Sequence, residues 1–538
     1  MFQKITAFLF LAFLLFNNYS TKAQNSNFTS NFPIVVINTY WQTIPDSPKI
    51  KADMGIIYNG EGKINKLTDD FNNYNGKIGI EIRGSSSQMF PKKSYGFETW
   101  DTSGNSINVP LLNMPAESDW ILSAFYDDKS LMRNTLTFKI GRELGHYASR
   151  TMYCEVFLNG DYQGVYLFME KIKRSDYRVN ISKLKTTDIA GDDVTGGYII
   201  KLDKPTGTGG NDGWDSKYPS YVNSSVPVHF LYDYPKSTDI VPQQSAYIQN
   251  YMNDFETALS SANFTDTVNG YAKYIDVNSF VDNFIINEFT NNVDGFRLSA
   301  YLYKTKITKG GKLFAGPIWD YDLGYGNVDF SSNYLVSGWQ YLNDGGIWQV
   351  PFWWQRLLND PRYTGLLKCR WLELRKNILQ TDSLMNYIDT TVNKLSAAEV
   401  RNFARWQILG TYVWPNHYVG PDYPSEINYL KNWIQGRLFW LDGFMPGTCV
   451  TSGVNTIQPQ NNWNIFPNPT TGKIYLNLAN TENKTLNLKL TDLLGKEVLV
   501  INNYKAKELD LTGLTNGVYF LTIQLQNAIQ SFKVVLKK

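Results

Sequence analysis

The chain has 538 residues, with 51 lysines and arginines against 49 aspartates and glutamates, and only three histidines and three cysteines. A formal net charge of +2 gives no bulk attraction to nucleic acid, and three histidines argue against a histidine-rich metal centre. Cys154, Cys369 and Cys449 are too few for a disulfide framework and have no metal-binding spacing; one bridge plus a thiol, or three thiols, both stay open.

In chain order, Lys4 and the twelve almost wholly apolar residues ITAFLFLAFLLF come first, followed by Thr21-Lys22-Ala23. This predicts a signal peptide over residues 1–23: the core is too short to span a bilayer, and small residues sit at −3 and −1 of the cleavage point. An uncleaved anchor is the alternative. No other apolar run approaches membrane-spanning length. The remainder exceeds one ordinary domain and predicts roughly two to four.

The functional body is expected over residues 33–445. FPIVVINT (32–39) reads as a buried strand, and KIGIEIRG (77–84) and SYGFETW (94–100) read as paired strands. Between that pair runs a Ser-rich loop from Ser85 to Lys93, whose amides and lysines can cover phosphates or merely connect a hairpin. Asp127-Asp128-Lys129-Ser130 precedes a helical pattern, LMRNTLTFKIGRELG, with Ser130 or Asp128 as the cap and Arg133 on its first turn facing a cleft. CEVFLNGDYQGVYLFMEKI (154–172) is a hairpin around Asn159-Gly160-Asp161, and GGYIIKLDK (196–204) another strand. Residues 205–245 are polar and read as a surface insertion. SFVDNFIINEFTNNVDGF (279–296) starts as helix and ends in an Asn-rich turn; residues 351–445 are helical.

Two short acidic motifs stand out: Asn-Asn-Val-Asp-Gly at 291–295 and Pro-Ile-Trp-Asp-Tyr-Asp-Leu-Gly at 317–324. Asp294 and Asp320 are 26 residues apart, separated by a strand–turn–strand pattern that can bring both carboxylates into one cleft. Phosphoryl transfer needs that layout: one aspartate orients the attacking hydroxyl and another holds magnesium on the phosphates. Paired carboxylates also serve glycoside hydrolysis, at about 5 Å apart for retention or about 6.5–9.5 Å for inversion. The aromatic share of 15% fits a glycan-facing surface as well as a large exported core.

After Pro446 a polar linker (446–463) leads to short alternating segments, KIYLNL through SFKVVLKK, which predict a small antiparallel sandwich over 464–538. This module resembles the type A C-terminal sorting domain of the type IX secretion system. The likeness rests on Asn468-Pro469-Thr470, Gly472, Leu494-Gly495, Gly517-Val518-Tyr519 and the terminal Lys533, Lys537 and Lys538. It implies export through the periplasm, engagement of that machinery, and release or surface attachment. An adhesive sandwich is the alternative.

The body resembles the CotH-type spore-coat kinases, an atypical protein-kinase-like family. The motifs, in order, are Arg83-Gly84-Ser85 with Phe90-Pro-Lys-Lys-Ser-Tyr95, Tyr126-Asp127 with Ser130-Leu-Met-Arg-Asn134, Asn159-Gly160 with Gly164-Val-Tyr166, Asp294-Gly295 with Tyr301-Leu-Tyr303, and Trp319-Asp-Tyr-Asp322. The resemblance implies an α+β kinase-like body with a mixed or antiparallel sheet and C-terminal helices, beside the all-β immunoglobulin-like module. It implies ATP and Mg2+ as cofactors, Asp294 as the catalytic aspartate and Asp320 as a metal ligand. Asp322 and Ser299 are candidate second-metal ligands; Ser299 stands where the kinase pattern has Asn. Lys93, Lys92, Arg83, Ser85 and Arg133 are candidate nucleotide contacts, with Lys93 favoured over Lys92. The implied activity is transfer of phosphate to Ser or Thr hydroxyls of exported proteins; the competing reading is a non-catalytic surface module that binds protein or glycan.

Overall fold

The computed structural model describes residues 27–205, 212–449, 463–478, 485–492, 495–525 and 528–538. The signal-peptide reading, most of the linker and Leu494 lie outside the described residues. The chain forms two compact units that divide between Cys449 and Val450.

The first unit opens with a seven-stranded closed barrel: β1 (Ile34–Asn38), β2 (Ile50–Ile57), β3 (Tyr74–Arg83), β4 (Ser94–Trp100), β5 (Asp119–Ser123), β6 (Thr151–Leu158) and β7 (Asp161–Glu170). The spatial order is β6-β7-β5-β4-β3-β2-β1, antiparallel throughout, until the parallel pairing of β6 with β1 closes it. Closure removes both sheet edges. Alternation along the strands sends Ile78, Ile80, Phe97, Trp120, Val156 and Phe168 into one buried cluster. The β6–β7 turn is the expected one, with Asn159 and Gly160 both at positive φ.

Below the barrel lies a five-stranded antiparallel sheet built from β8 (Tyr198–Leu202), β9 (Gly213–Asp215), β10 (His229–Tyr234), β11 (Ala300–Lys304) and β12 (Leu313–Ala315), in the order β9-β10-β8-β11-β12. This corrects the reading of 205–245 as a surface insertion. Phe230 and Leu231 are buried in β10, and a polar surround hides how apolar that short run is. The helices are α1 (Arg133–Glu143), α2 (Pro242–Ser260), α3 (Val277–Thr290), α4 (Trp353–Leu357), α5 (Pro361–Lys376), α6 (Thr381–Arg405) and α7 (Tyr423–Phe444). They share a large core that includes Phe280, Phe284, Trp353, Trp371 and Leu438.

Buried polar ties fasten α6 to the barrel. Glu155 in β6 is fully buried and meets Arg401 Nε at 2.9 Å and Ser30 Oγ at 2.5 Å. Asn402 accepts from Lys92 Nζ at 2.9 Å and from the Val165 amide at 3.1 Å. A disulfide joins Cys369 in α5 to Cys449, while Cys154 is a buried thiol in the barrel. A bridge closing 80 residues restricts the unfolded chain and belongs to an oxidising compartment.

The second unit is the expected sandwich of a three-stranded and a four-stranded antiparallel sheet. Leu488, Leu490, Leu521, Ile523 and Val534 fill its core.

Candidate functional site

Between the barrel and the helices lies a cavity of about 480 Å3 into which both Asp294 and Asp320 open. Asp294 arrives on the turn after α3, which ends at Asn291 in a left-handed conformation. Arg297, one turn on, pairs with Asp294 at 3.2 Å and is itself fixed through Nε to the Val293 carbonyl at 2.8 Å. Burial pushes the Asp294 carboxyl up, and Arg297 and Lys204 pull against that. Asp320 follows β12 and projects into the cavity with φ at +66°. Its carboxyl is pushed up to about 6 by desolvation, with Arg83 opposing and Asp294 and Asp203 adding to the rise.

Three asparagines hold the Asp320–Asp322 turn from outside: Asn292 donates to the Asp320 carbonyl at 2.9 Å, Asn134 accepts from the Tyr321 amide at 2.6 Å, and Asn327 donates to the Asp322 carbonyl at 2.9 Å. Asn327 also donates to the Asp127 carbonyl at 3.0 Å, so Asp127 and Asp322 are set side by side. The two side chains share a hydrogen bond; burial and the neighbouring carboxylates raise Asp127 to about 7 and lift Asp322 well above the carboxylate range. Asp127, Asp320 and Asp322 are neighbouring buried carboxyls in which burial, and then repulsion between carboxylates, favours the protonated forms, with Arg83 acting against this at Asp320.

Facing them, the loop after β3 starts at Gly84, whose φ of +107° suits only glycine, and turns through a short 3-10 segment, Ser86–Met89. Arg83, Ser85, Ser86 and Ser87 line the cavity. The Arg83 guanidinium lies 5.3 Å from the centre of the Trp319 ring, and Lys204 reaches across to Ser86 Oγ at 3.1 Å.

Of the residues singled out from sequence, Asp294, Asp320, Asp322, Ser299, Arg83 and Ser85 meet at this cavity. Three others are placed differently. The Lys93 ammonium turns back onto the Gln88 carbonyl at 2.5 Å, and Lys93 does not line the cavity. Lys92 reaches the cavity wall, but its buried ammonium is bound to the Val165 carbonyl at 2.6 Å and to Asn402, and desolvation holds it well below the usual lysine range. Arg133 is buried against Asp128 at 2.6 Å, and Asp128 also accepts the Arg133 amide at 2.9 Å. Arg133 therefore does not line the cavity; Asp128 and Ser130 take its Nη1, while its Nε and Nη2 are buried with no hydrogen-bond partner among the described residues. Ser299, at φ +50°, lies beside the Asp320 carboxyl and draws its pKa down slightly against the effect of burial. Cavity cations not singled out from sequence are Lys201, Lys204 and Arg297. The signal for the two lysines was present in Lys201-Leu-Asp-Lys204, at the end of a strand that pairs with β11, and that for Arg297 in the residues just after Asp294-Gly295.

A small β lobe above a larger helical lobe, with a Gly-Ser loop facing paired aspartates, is the layout of kinase-like proteins. The chain belongs to the CotH kinase family: the family model for the CotH kinase protein matches residues 80–441. Residues 464–537 match the secretion system C-terminal sorting domain, which marks the chain for secretion or the cell surface. One curated relative, Inner spore coat protein H of Bacillus subtilis (strain 168), is 27% identical over 252 residues, covering 46% of this chain and 59% of that protein. The match thus spans less than two-thirds of that relative. Among the described residues no helix is long and apolar enough to cross a membrane.

Proposed function

We propose that the chain is an exported phosphotransferase that moves the terminal phosphate of Mg2+·ATP to Ser or Thr hydroxyls of exported or surface proteins. The observation that carries this reading is one cavity with Asp294 and Asp320 on one wall and the Arg83–Ser87 loop on the other. Phosphoryl transfer asks a protein mainly for positioning and charge compensation. Asp294 orients the acceptor hydroxyl and takes up its proton; its raised pKa suits a general base. Arg83 and Lys204 meet phosphate oxygens from the loop side, and the amides of Ser85 and Ser86 add hydrogen bonds.

Asp320 and Asp322 are the ligands we assign to magnesium. Two oxygen-donor carboxyls suit a hard divalent cation, and carboxyls raised by burial first and by neighbouring carboxylates second gain most from one. No group of three or more such ligands gathers among the described residues, so phosphate oxygens and water would complete the shell. When bound, the cation compensates the carboxylates and neutralises phosphate charge. Ser299 acts as a positioning residue beside the Asp320 carboxyl. The C-terminal unit addresses the chain to type IX machinery, and the signal peptide takes it to the periplasm.

The test is isothermal titration of two variants. Asp320→Ala is expected to abolish metal-dependent ATP binding, whereas Asp294→Asn keeps binding and loses transfer. Parent-like affinity in Asp320→Ala overturns the assignment. One observation favours the second reading, a glycan- or protein-binding cleft without catalysis. Phe330 and Trp414, 36% and 42% exposed, stack with ring centres 6.3 Å apart at the cavity rim. A thermal shift with polysaccharide and none with Mg2+·ATP would support it.

A further inference from the structure

The cavity that holds Asp294 and Asp320 is the first of three in series. A second, of about 460 Å3, shares Arg83, Gly84 and Ser85 with it and is walled by Lys49, Glu81, Asp119 and Lys171. A third, of about 350 Å3, shares Asp119 and Lys171 with the second and adds Lys173, Arg174, Lys183 and Lys236. Through these shared residues the three cavities adjoin as a stepped trough, from the loop after β3 to the segment that follows β7.

The outer cavity is unequally charged. Five cations, Lys171, Lys173, Arg174, Lys183 and Lys236, line it with three carboxylates, Asp119, Asp233 and Asp239, and Lys173 also takes Glu117 at 2.8 Å, so the excess cations are Arg174 and Lys183. Asp119 is shared, at 3.5 Å from Lys171 and 2.7 Å from Lys173. Although burial works against its charge, these two lysines hold its carboxyl down at about 2, so it is already saturated. Lys236 takes Asp233 at 3.0 Å. Arg174 lies over the Tyr234 ring at 5.9 Å, and neither it nor the exposed Lys183 has a carboxylate partner among the described residues. Burial pulls the Lys171 ammonium below the usual lysine range, Asp119 opposes this, and Lys236, Lys49 and Arg83 add to it. Ile172, Leu184 and Pro235 supply an apolar floor. A flexible, negatively charged chain satisfies such a trough: its carboxylates meet the unpaired cations and its backbone and methylenes cover the floor.

We infer that this trough docks a carboxylate-rich segment of the acceptor protein, next to the hydroxyl that receives phosphate. The inference rests on the phosphotransferase reading for what happens at Asp294, but docking is measurable without transfer. Arg174 and Lys183 are the specificity residues, since both are unpaired by carboxylates and neither lines the cavity of Asp294 and Asp320.

The experiment uses the full chain and two labelled peptides with one central serine, one flanked by glutamates and one by lysines, read by fluorescence anisotropy. The glutamate peptide is expected to bind and to weaken by at least about tenfold between low salt and about 0.5 M salt. The Arg174→Glu/Lys183→Glu variant is expected to lose about tenfold or more in affinity for it, while its thermal shift with Mg2+·ATP matches the parent. If that variant does not fold, Lys183→Ala alone is expected to lose about threefold, the size of one exposed charge contact. Equal binding of both peptides, no effect of charge reversal in a folded variant, or tight binding of inorganic polyphosphate with none of the glutamate peptide overturns the inference. Loss of Mg2+·ATP binding in the parent sinks the phosphotransferase reading and leaves the docking result standing on its own.

Discussion

The two compact units bury different chemistry. Among the described residues of the second unit, no charged side chain is buried; Thr470 is buried, and the core is mainly leucine, isoleucine and valine with Trp463 and Tyr519. The body buries whole ionic groups: Glu288 and Arg437 are both fully buried, as are Glu155, Glu170, Asp128 and Arg133. Burying charge costs stability unless every group is paired, so proteins keep such groups where geometry must be unique. The sandwich needs only a stable surface for others to recognise. The body needs carboxylates, cations and asparagines held at fixed positions around one cavity.

The largest expected break in that contrast is Arg437→Met. It leaves Glu288 buried without its cation, although the Gln340 and Tyr341 amides still donate at 2.9 Å each. The cost is expected to be about 3–5 kcal/mol, read by urea unfolding of the body, with the sandwich transition unmoved. A cost near zero would mean that the body tolerates charge burial as the sandwich tolerates leucine exchange.

Asp127→Asn should act in the opposite direction. A carboxyl raised to about 7 in the folded chain, against 3.8 unfolded, holds a proton in the native state that the unfolded chain has lost. Stability from this group is present below about pH 4 and falls as pH rises towards 7. The asparagine variant is therefore expected to match the parent at pH 4 and exceed it at pH 8, by on the order of 2 kcal/mol, in thermal melts without divalent cation. A variant less stable at pH 8 would show that the Asp127 charge is compensated rather than strained.

Ser299→Asn sharpens the picture at the site. Asparagine tolerates the left-handed backbone found there, so the turn survives. The amide restores the kinase-like second-metal ligand, and about a tenfold faster transfer needs only about 1.4 kcal/mol. An unchanged or slower rate in a phosphotransfer assay would mean that the place of Ser299 beside Asp320 matters more than a second ligand. The smallest effect on the body comes from deleting 464–538: folding and nucleotide binding are expected to stay the same while surface delivery stops. Fractionation of cells carrying both forms measures this, and normal delivery of the truncated form contradicts the sorting role.

Local pattern determined much of this protein. Alternation in 77–84, 94–100 and 154–172 set the barrel hairpins, and the module at 464–538 was legible because each strand carries its own period-two code. The acidic motifs were visible as motifs, but an aspartate beside a glycine- or asparagine-rich turn is also a common turn residue, and it is the fold that brings Asp294, Asp320 and Asp322 to one cavity. What sequence did not decide is where long cationic side chains go. Lys92, Lys93 and Arg133 stood in the right motifs, yet a lysine or arginine spans several ångströms and follows the nearest unsatisfied acceptor; the Val165 and Gln88 carbonyls and the Asp128 carboxylate took them. Lys204 and Arg297 came to the cavity only because β8 pairs with β11 and the turn after α3 folds back on Val293. Strands and turns are fixed by neighbours in sequence, but which acceptor a long cation reaches, Val165 and Asn402 for Lys92 or Ser86 for Lys204, is fixed by the tertiary structure, because those acceptors come near only when the chain folds.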